Sequence, residues 1–274
     1  MLARNGSVEL YWESAGAGAP VLLIMGLGMN ATGWWRTIPV LAESFRVLSF
    51  DNRGVGRSAR PRGPYSVVQM ATDAIAVLEA AGERRAHVYG ISLGGMIAQE
   101  LALRHPERVS SLLLGATTPG GPRALPADEA TLAFFQRRAE MDAEEAVWAS
   151  VPYNYSLQTR QRHAQRIGDD IVQRLRYPIE SGPYSAQLGA ALGHDAFGRL
   201  DAIEAPTLVV HGGDDRMVPP ENARLLADAI PGAQLELWPG AGHLYITDEP
   251  EADRSVARFL RRLPASARSS RDPS

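Results

Sequence analysis

The stretch Ala86-His87-Val88-Tyr89-Gly90-Ile91-Ser92-Leu93-Gly94-Gly95-Met96-Ile97-Ala98 reads as a buried β-strand over 86–91 that passes directly into a helix over 93–104. Gly90-Ile91-Ser92-Leu93-Gly94 sits at the junction. A strand-to-helix turn this tight forces its central residue to a strained, positive φ and crowds the flanking positions against neighbouring backbone. Glycine at 90 and 94 meets that demand. The strain would lift the Ser92 hydroxyl above the sheet, at a helix N-terminus whose free N–H groups favour developing negative charge.

Outward from this junction the same alternation continues. Strand-like runs fall at 8–12, 21–25, 46–50 and 109–115, with helical patterns at 34–43 and 67–81. Runs such as Val21-Leu22-Leu23-Ile24-Met25 are apolar throughout, as expected of strands covered on both faces. The order predicts an α/β fold, a mostly parallel sheet with helices on both sides, over a first core part at 1–118. From 119 to 202 the pattern changes. Pro and Gly cluster at 119–126, polar helical segments follow, and strand-like runs stop, so this stretch is expected to be a helical cap insertion. A second core part at 203–263 resumes with strands at 207–211 and 234–238 and helices at 221–229 and 251–263. The Ser/Arg/Pro-rich stretch 264–274 is expected to be a disordered tail.

Composition excludes several chemistries. The 274 residues include 28 basic and 31 acidic side chains, and every basic one is Arg. Without Cys there is no thiol nucleophile, disulfide or thiolate metal site. Without Lys there is no Schiff base and no Walker-type phosphate loop. The near-neutral charge and dispersed Arg give no nucleic-acid or membrane-surface footprint. The first residues lack the apolar run of a signal peptide, and the longest apolar stretch, 21–29, is far short of the roughly 20 residues that span a bilayer. A cytoplasmic location, no cofactor and no metal are expected, and a homodimer is compatible with the sequence.

A serine nucleophile needs an imidazole to take its proton and a carboxylate to orient that imidazole. Two later segments supply both: His211-Gly212-Gly213-Asp214-Asp215-Arg216-Met217-Val218-Pro219 and Pro239-Gly240-Ala241-Gly242-His243. Each follows a predicted strand, where an open α/β sheet places its sites.

With these segments in place the chain resembles the α/β-hydrolase family over about residues 7–262. Five segments carry the resemblance: Ile24-Met25-Gly26-Leu27-Gly28, Phe50-Asp51-Asn52-Arg53-Gly54-Val55-Gly56-Arg57-Ser58, the turn at Ser92, the 211–219 segment, and the Gly-x-Gly-His run ending at His243. The resemblance implies Ser92 as nucleophile, Asp215 rather than Asp214 as acid, His243 as base, and the backbone N–H groups of Leu27 and Leu93 as oxyanion hole. Many members carry His-Gly where this chain has Met25-Gly26, so no histidine orders that loop here. Asp51 and Arg53 fall in a segment that is mainly a structural turn beneath the site.

The helix following Ser92 looks closest to the esterase and 3-oxoadipate enol-lactonase-like branch. That stretch lies on a structural helix and says little about substrate; the expected substrate is a small-molecule carboxylic ester or lactone, a larger apolar ester included. A carbon–carbon bond hydrolase or a perhydrolase/haloperoxidase-like enzyme would use the same triad. A haloalkane dehalogenase would need Asp at position 92, and a non-catalytic binding protein would be expected to lack a triad member. A substrate pocket beneath the insertion is expected to draw on Met25, Leu27, Trp34, Trp35, Phe134, Trp148, Tyr153 and Leu244. His87, His105, His163 and His194 read as structural or solvated. The insertion's Arg137, Arg138, Arg160, Arg162, Arg166, Arg174 and Arg176 read as a solvated face, although one turned inward would anchor a substrate carboxylate.

Overall fold

A computed structural model describes residues 1–263. The expected tail, 264–274, lies outside the described residues. Eight strands form one sheet in the order β1-β2-β4-β3-β5-β6-β7-β8. They are β1 (Leu2–Asn5), β2 (Val8–Ala15), β3 (Pro20–Ile24), β4 (Arg46–Phe50), β5 (Ala86–Ile91), β6 (Val109–Gly115), β7 (Thr207–Gly212) and β8 (Gln234–Trp238). β1 and β2 pair antiparallel, β2 joins β4 antiparallel, and every other pairing is parallel. The sheet is the mostly parallel one the alternation predicts. β1, a short edge strand turned back at Gly6 with φ +58°, has too little apolar pattern to read from sequence.

Period-two alternation puts neighbouring residues of one strand into separate cores. On β3, Leu22 and Ile24 face one apolar cluster while Val21 and Leu23 face the other. The first face is covered by α2 (Val67–Ala80), α3 (Leu93–Arg104) and α10 (Glu221–Ala229), the second by α1 (Thr37–Ala42) and α12 (Glu251–Arg262). The segment expected as one helix over 34–43 divides instead into a 3₁₀ turn, Ala31–Trp34, and α1. Asn30 caps the 3₁₀ turn by accepting from the Thr32 N–H, which starts the helical geometry earlier than the apolar spacing suggests. α2 begins at a capping box between Ser66 and Gln69.

Between β6 and β7 lie six helices: α4 (Glu129–Arg138), α5 (Ala143–Ala149), α6 (Val151–Asn154), α7 (Leu157–Arg162), α8 (Ala164–Leu175) and α9 (Ser181–Leu192). They are fastened to the sheet by a few buried polar groups. Asp170 on α8 accepts from the Trp35 indole (2.9 Å), the Thr247 hydroxyl (2.6 Å) and the Arg36 guanidinium (3.2 Å). Asp248, on α11 (Tyr245–Asp248), accepts from the backbone N–H groups of Gly242 (2.7 Å) and Ser156 (2.9 Å). Among the described residues no helix is long and apolar enough to cross a membrane.

One buried carboxyl beneath the sheet gives a test of this packing. Asp253 accepts from the Thr37 hydroxyl at 2.9 Å, its other oxygen has no hydrogen-bond partner among the described residues, and burial pushes its pKa up to about 7. A raised folded-state pKa means full stability below the unfolded value of about 3.9, lost progressively as pH rises through about 7. Asp253→Asn should therefore raise Tm at pH 8 by roughly 2–8 °C, as about 1–2 kcal/mol would in a domain of this size, with a smaller gain at pH 5. Thermal melts of both proteins across pH 4–9 check this.

Candidate active site

Ser92 occupies the turn from β5 into α3 with φ +56°, one of two non-glycine residues at positive φ among the described residues. The neighbouring sequence leaves it no other path. A Cβ on Gly90 would collide with the carbonyl of Gly94, and a Cβ on Gly94 with the carbonyl of Ile24. The turn is also tied laterally: the Ser92 N–H donates to Gly115 O (2.9 Å) and its carbonyl accepts from the Thr117 hydroxyl (2.7 Å).

Gly26 packs directly on this turn. A Cβ there would lie 3.1 Å from Ser92 Cβ and 3.6 Å from Ser92 Oγ. Leu27, the next residue, lines the same cavity as Ser92. Leu93 is the first residue of α3, so its N–H is one of the helix's orphan donors. Neither N–H donates to a protein acceptor among the described residues. The loop that carries Leu27 is held from both sides. Gln187 on α9 accepts from the Gly28 N–H (2.9 Å) and donates to Arg53 O (2.8 Å), and Asn52 donates to Met25 O (2.9 Å). Asp51 accepts from the N–H groups of Ala31 and Arg57, and Arg53 pairs with buried Asp73. The 50–58 segment thus braces the loop from beneath.

The loop after β7 turns Asp215 inward and leaves Asp214 exposed. One oxygen of Asp215 accepts from the N–H groups of Met217 (2.8 Å) and Val218 (3.0 Å). The other faces His243 Nδ1 at 2.8 Å and His211 Nε2 at 3.1 Å. His211 Nε2 also faces the Val218 carbonyl (2.9 Å), which can only accept, so that nitrogen carries the proton. By the same reasoning His243 Nδ1 donates to Asp215, and Nε2 is the nitrogen left to act as a base. Burial alone would raise the Asp215 pKa. The charge of His243 and the hydrogen bonds from both histidines outweigh it and hold the carboxyl at about 2. His243 is positioned in turn by Leu244, whose N–H donates to Asn154 O at 2.8 Å.

Ser92 and His243 line one cavity of about 320 Å³, with no hydrogen bond between them among the described residues. Its walls are mainly apolar, from Met25, Leu27, Met96, Leu125, Leu188 and Leu244 among others. Five aromatic residues expected here do not line it. Trp34 is fully buried in the core beneath, 4.9 Å from the Tyr89 ring. Trp35 donates to Asp170 and stacks under Arg36. Phe134 stacks on Tyr153 at 4.3 Å, so the neighbouring Phe135 reaches the cavity. Trp148 is 55% exposed. Two arginines of the expected solvated face, Arg138 and Arg174, are instead buried and line the cavity, as does His194. Burial lowers the His194 pKa to about 4.

This fold and this assembly of side chains define a hydrolase class. Residues 19–250 match the family described as alpha/beta hydrolase fold, and the chain belongs to that family. It is an α/β-hydrolase enzyme. It is 34% identical over 266 residues to a protein of Variovorax paradoxus (strain S110) named "Putative carbamate hydrolase RutD", covering 94% of this chain and 98% of that one. The enol-lactonase from Burkholderia xenovorans LB400 superimposes with a TM-score of 0.86 at 24% identity, over 96% of this chain and all of the other. A thermophilic esterase from Thermogutta terrifontis, solved with malate bound, gives a TM-score of 0.79 at 28% identity, over 98% and 99% of the two chains.

The depressed pKa of Asp215 sets a pH dependence. Its stabilisation is present above the unfolded value of about 3.9 and is lost as pH falls from there through about 2. The stability gap between the protein and Asp215→Asn should close on acidification below pH 4. Urea unfolding of both proteins from pH 7 to pH 2.5 measures that gap.

Proposed function

We propose that the protein hydrolyses a small-molecule carboxylic ester or lactone through an acyl-enzyme on Ser92. The observation that carries this reading is the buried Asp215–His243 pair at 2.8 Å, which leaves His243 Nε2 as the base of a cavity shared with Ser92. His243 Nε2 takes the Ser92 proton as Oγ bonds to the substrate carbonyl carbon. The resulting oxyanion is met by the N–H groups of Leu27 and Leu93. Loss of one such donor typically costs on the order of 10²–10³ in rate. Collapse breaks the carbon–oxygen bond, and protonated His243 gives its proton to the departing alkoxide. Water then attacks the acyl-enzyme by the same route and returns Ser92. With a lactone the alcohol stays attached to the acyl group, and the product is a hydroxy acid. Asp215 holds the His243 tautomer and stabilises the imidazolium.

The esterase likeness at 28% identity supports an ester carbonyl as target. A carbamate is the second reading, favoured by the name of the Variovorax relative. Its carbonyl would meet the same nucleophile and the same two N–H groups.

Ser92→Ala should lower turnover by about 10⁶ and Asp215→Asn by about 10⁴. Both are read as kcat on p-nitrophenyl esters, with lactones and aryl carbamates assayed in parallel. A fluorophosphonate probe should label the wild-type protein and not Ser92→Ala. Turnover by Ser92→Ala within tenfold of wild type would contradict the scheme.

A further inference from the structure

Arg138 ends α4 and is only 8% exposed. Its guanidinium lies 4.2 Å from the Tyr184 ring and against the backbone of Gly28, where a Cβ would come within 3.2 Å of Nη1. Arg174, on α8 and equally buried, donates to Ser150 Oγ at 3.1 Å. Neither arginine has a carboxylate within ion-pairing distance among the described residues. The acidic groups nearby are committed elsewhere. Asp170 pairs with Arg36 (3.2 Å), and Glu180, 70% exposed, turns to Arg60 (3.6 Å). Burial and then the charge of Arg174 lower the Arg138 pKa, so the two cations work against each other. Both line the cavity that contains Ser92 and His243.

A buried charge is ordinarily paired or hydrogen-bonded, because desolvating it alone is costly. Here two positive charges share one cavity that no Asp or Glu lines among the described residues. The guanidinium plane suits a planar, two-oxygen anion, which it can grip with paired N–H donors. Gly28 lies two residues beyond Gly26, the glycine packed on Ser92, and two residues of extended chain reach at most about 7 Å. An anion held at Arg138 would therefore sit a short chain away from a carbonyl at Ser92.

We propose that Arg138, with Arg174 beside it, is a carboxylate-binding subsite. The substrate is then an ester or lactone that also carries a free carboxylate on a short chain from its scissile carbonyl. This rests on the reading of Ser92 as nucleophile, but its test does not need turnover. The Ser92→Ala protein is titrated by calorimetry with the monoethyl esters of succinic, glutaric and adipic acids. Each is compared with the neutral ethyl ester of the same chain length. At least one acid ester should bind at least about tenfold more tightly than its neutral counterpart, the low end for hydrogen bonds to a charged group. Adding Arg138→Gln should remove that preference, Arg138→Lys should keep part of it, and Arg174→Gln should weaken it. Because Arg138→Gln removes an unpaired buried charge, its Tm should equal or exceed that of the parent. Equal affinity for acid and neutral esters, no binding of any acid ester, or a preference that survives Arg138→Gln would each overturn the subsite. Failure of the nucleophile reading shows separately, as absence of fluorophosphonate labelling at Ser92 in the wild-type protein.

Discussion

Ser92 is held at a positive φ by the close approach of three backbone segments: β5, the first turn of α3 and the end of β3. Gly90 and Gly94 make that approach, because any side chain at either position would overlap a neighbouring carbonyl. Much of the site follows from this contact. It fixes the direction of the Ser92 side chain and leaves the Leu93 N–H as an orphan donor. It also sets Gly26 against the same turn. A backbone conformation that an L-residue rarely adopts is sustained by the two cores on either face of the sheet.

The electrostatics of the site divide into two parts. On one side Asp215 is a buried carboxylate whose charge is balanced by backbone N–H groups and two histidines. Such an arrangement is self-sufficient, and its carboxyl stays ionised far below neutrality. On the other side Arg138 and Arg174 are buried cations with no carboxylate within ion-pairing distance among the described residues. The first arrangement orients the His243 imidazole. The second leaves a demand for negative charge in a cavity whose other walls are mainly apolar.

The parallel sheet and its order of elements were legible in the sequence because strands covered on both faces carry near-continuous apolar runs, as β3 does throughout. The turn at Ser92 was legible because its sterics require glycine at fixed offsets. Asp215 could be chosen over Asp214 only through family resemblance. The structure brings it to His243 by turning one of two adjacent carboxylates inward, which composition does not reveal. The cavity lining was the least legible part. Adjacent aromatics such as Phe134 and Phe135 point to different sides of one short helix, and sequence does not say which side meets the sheet. Arg138 and Arg174 read as surface residues because a buried arginine without an acid is rare. No periodicity signals an exception made for a ligand. The 3₁₀ turn before α1 was missed for a related reason, since a cap at Asn30 rather than an apolar stripe sets its start.

The central claim is that Ser92 becomes covalently acylated with His243 as its base. Rapid-quench mass spectrometry during hydrolysis of a p-nitrophenyl ester tests it most directly. A burst of p-nitrophenol approaching one per protein molecule is expected, with an acyl group on the tryptic peptide that contains Ser92. Both should be absent in His243→Ala. Steady hydrolysis with no acylated Ser92 peptide and no burst, or a burst undiminished in His243→Ala, would contradict it.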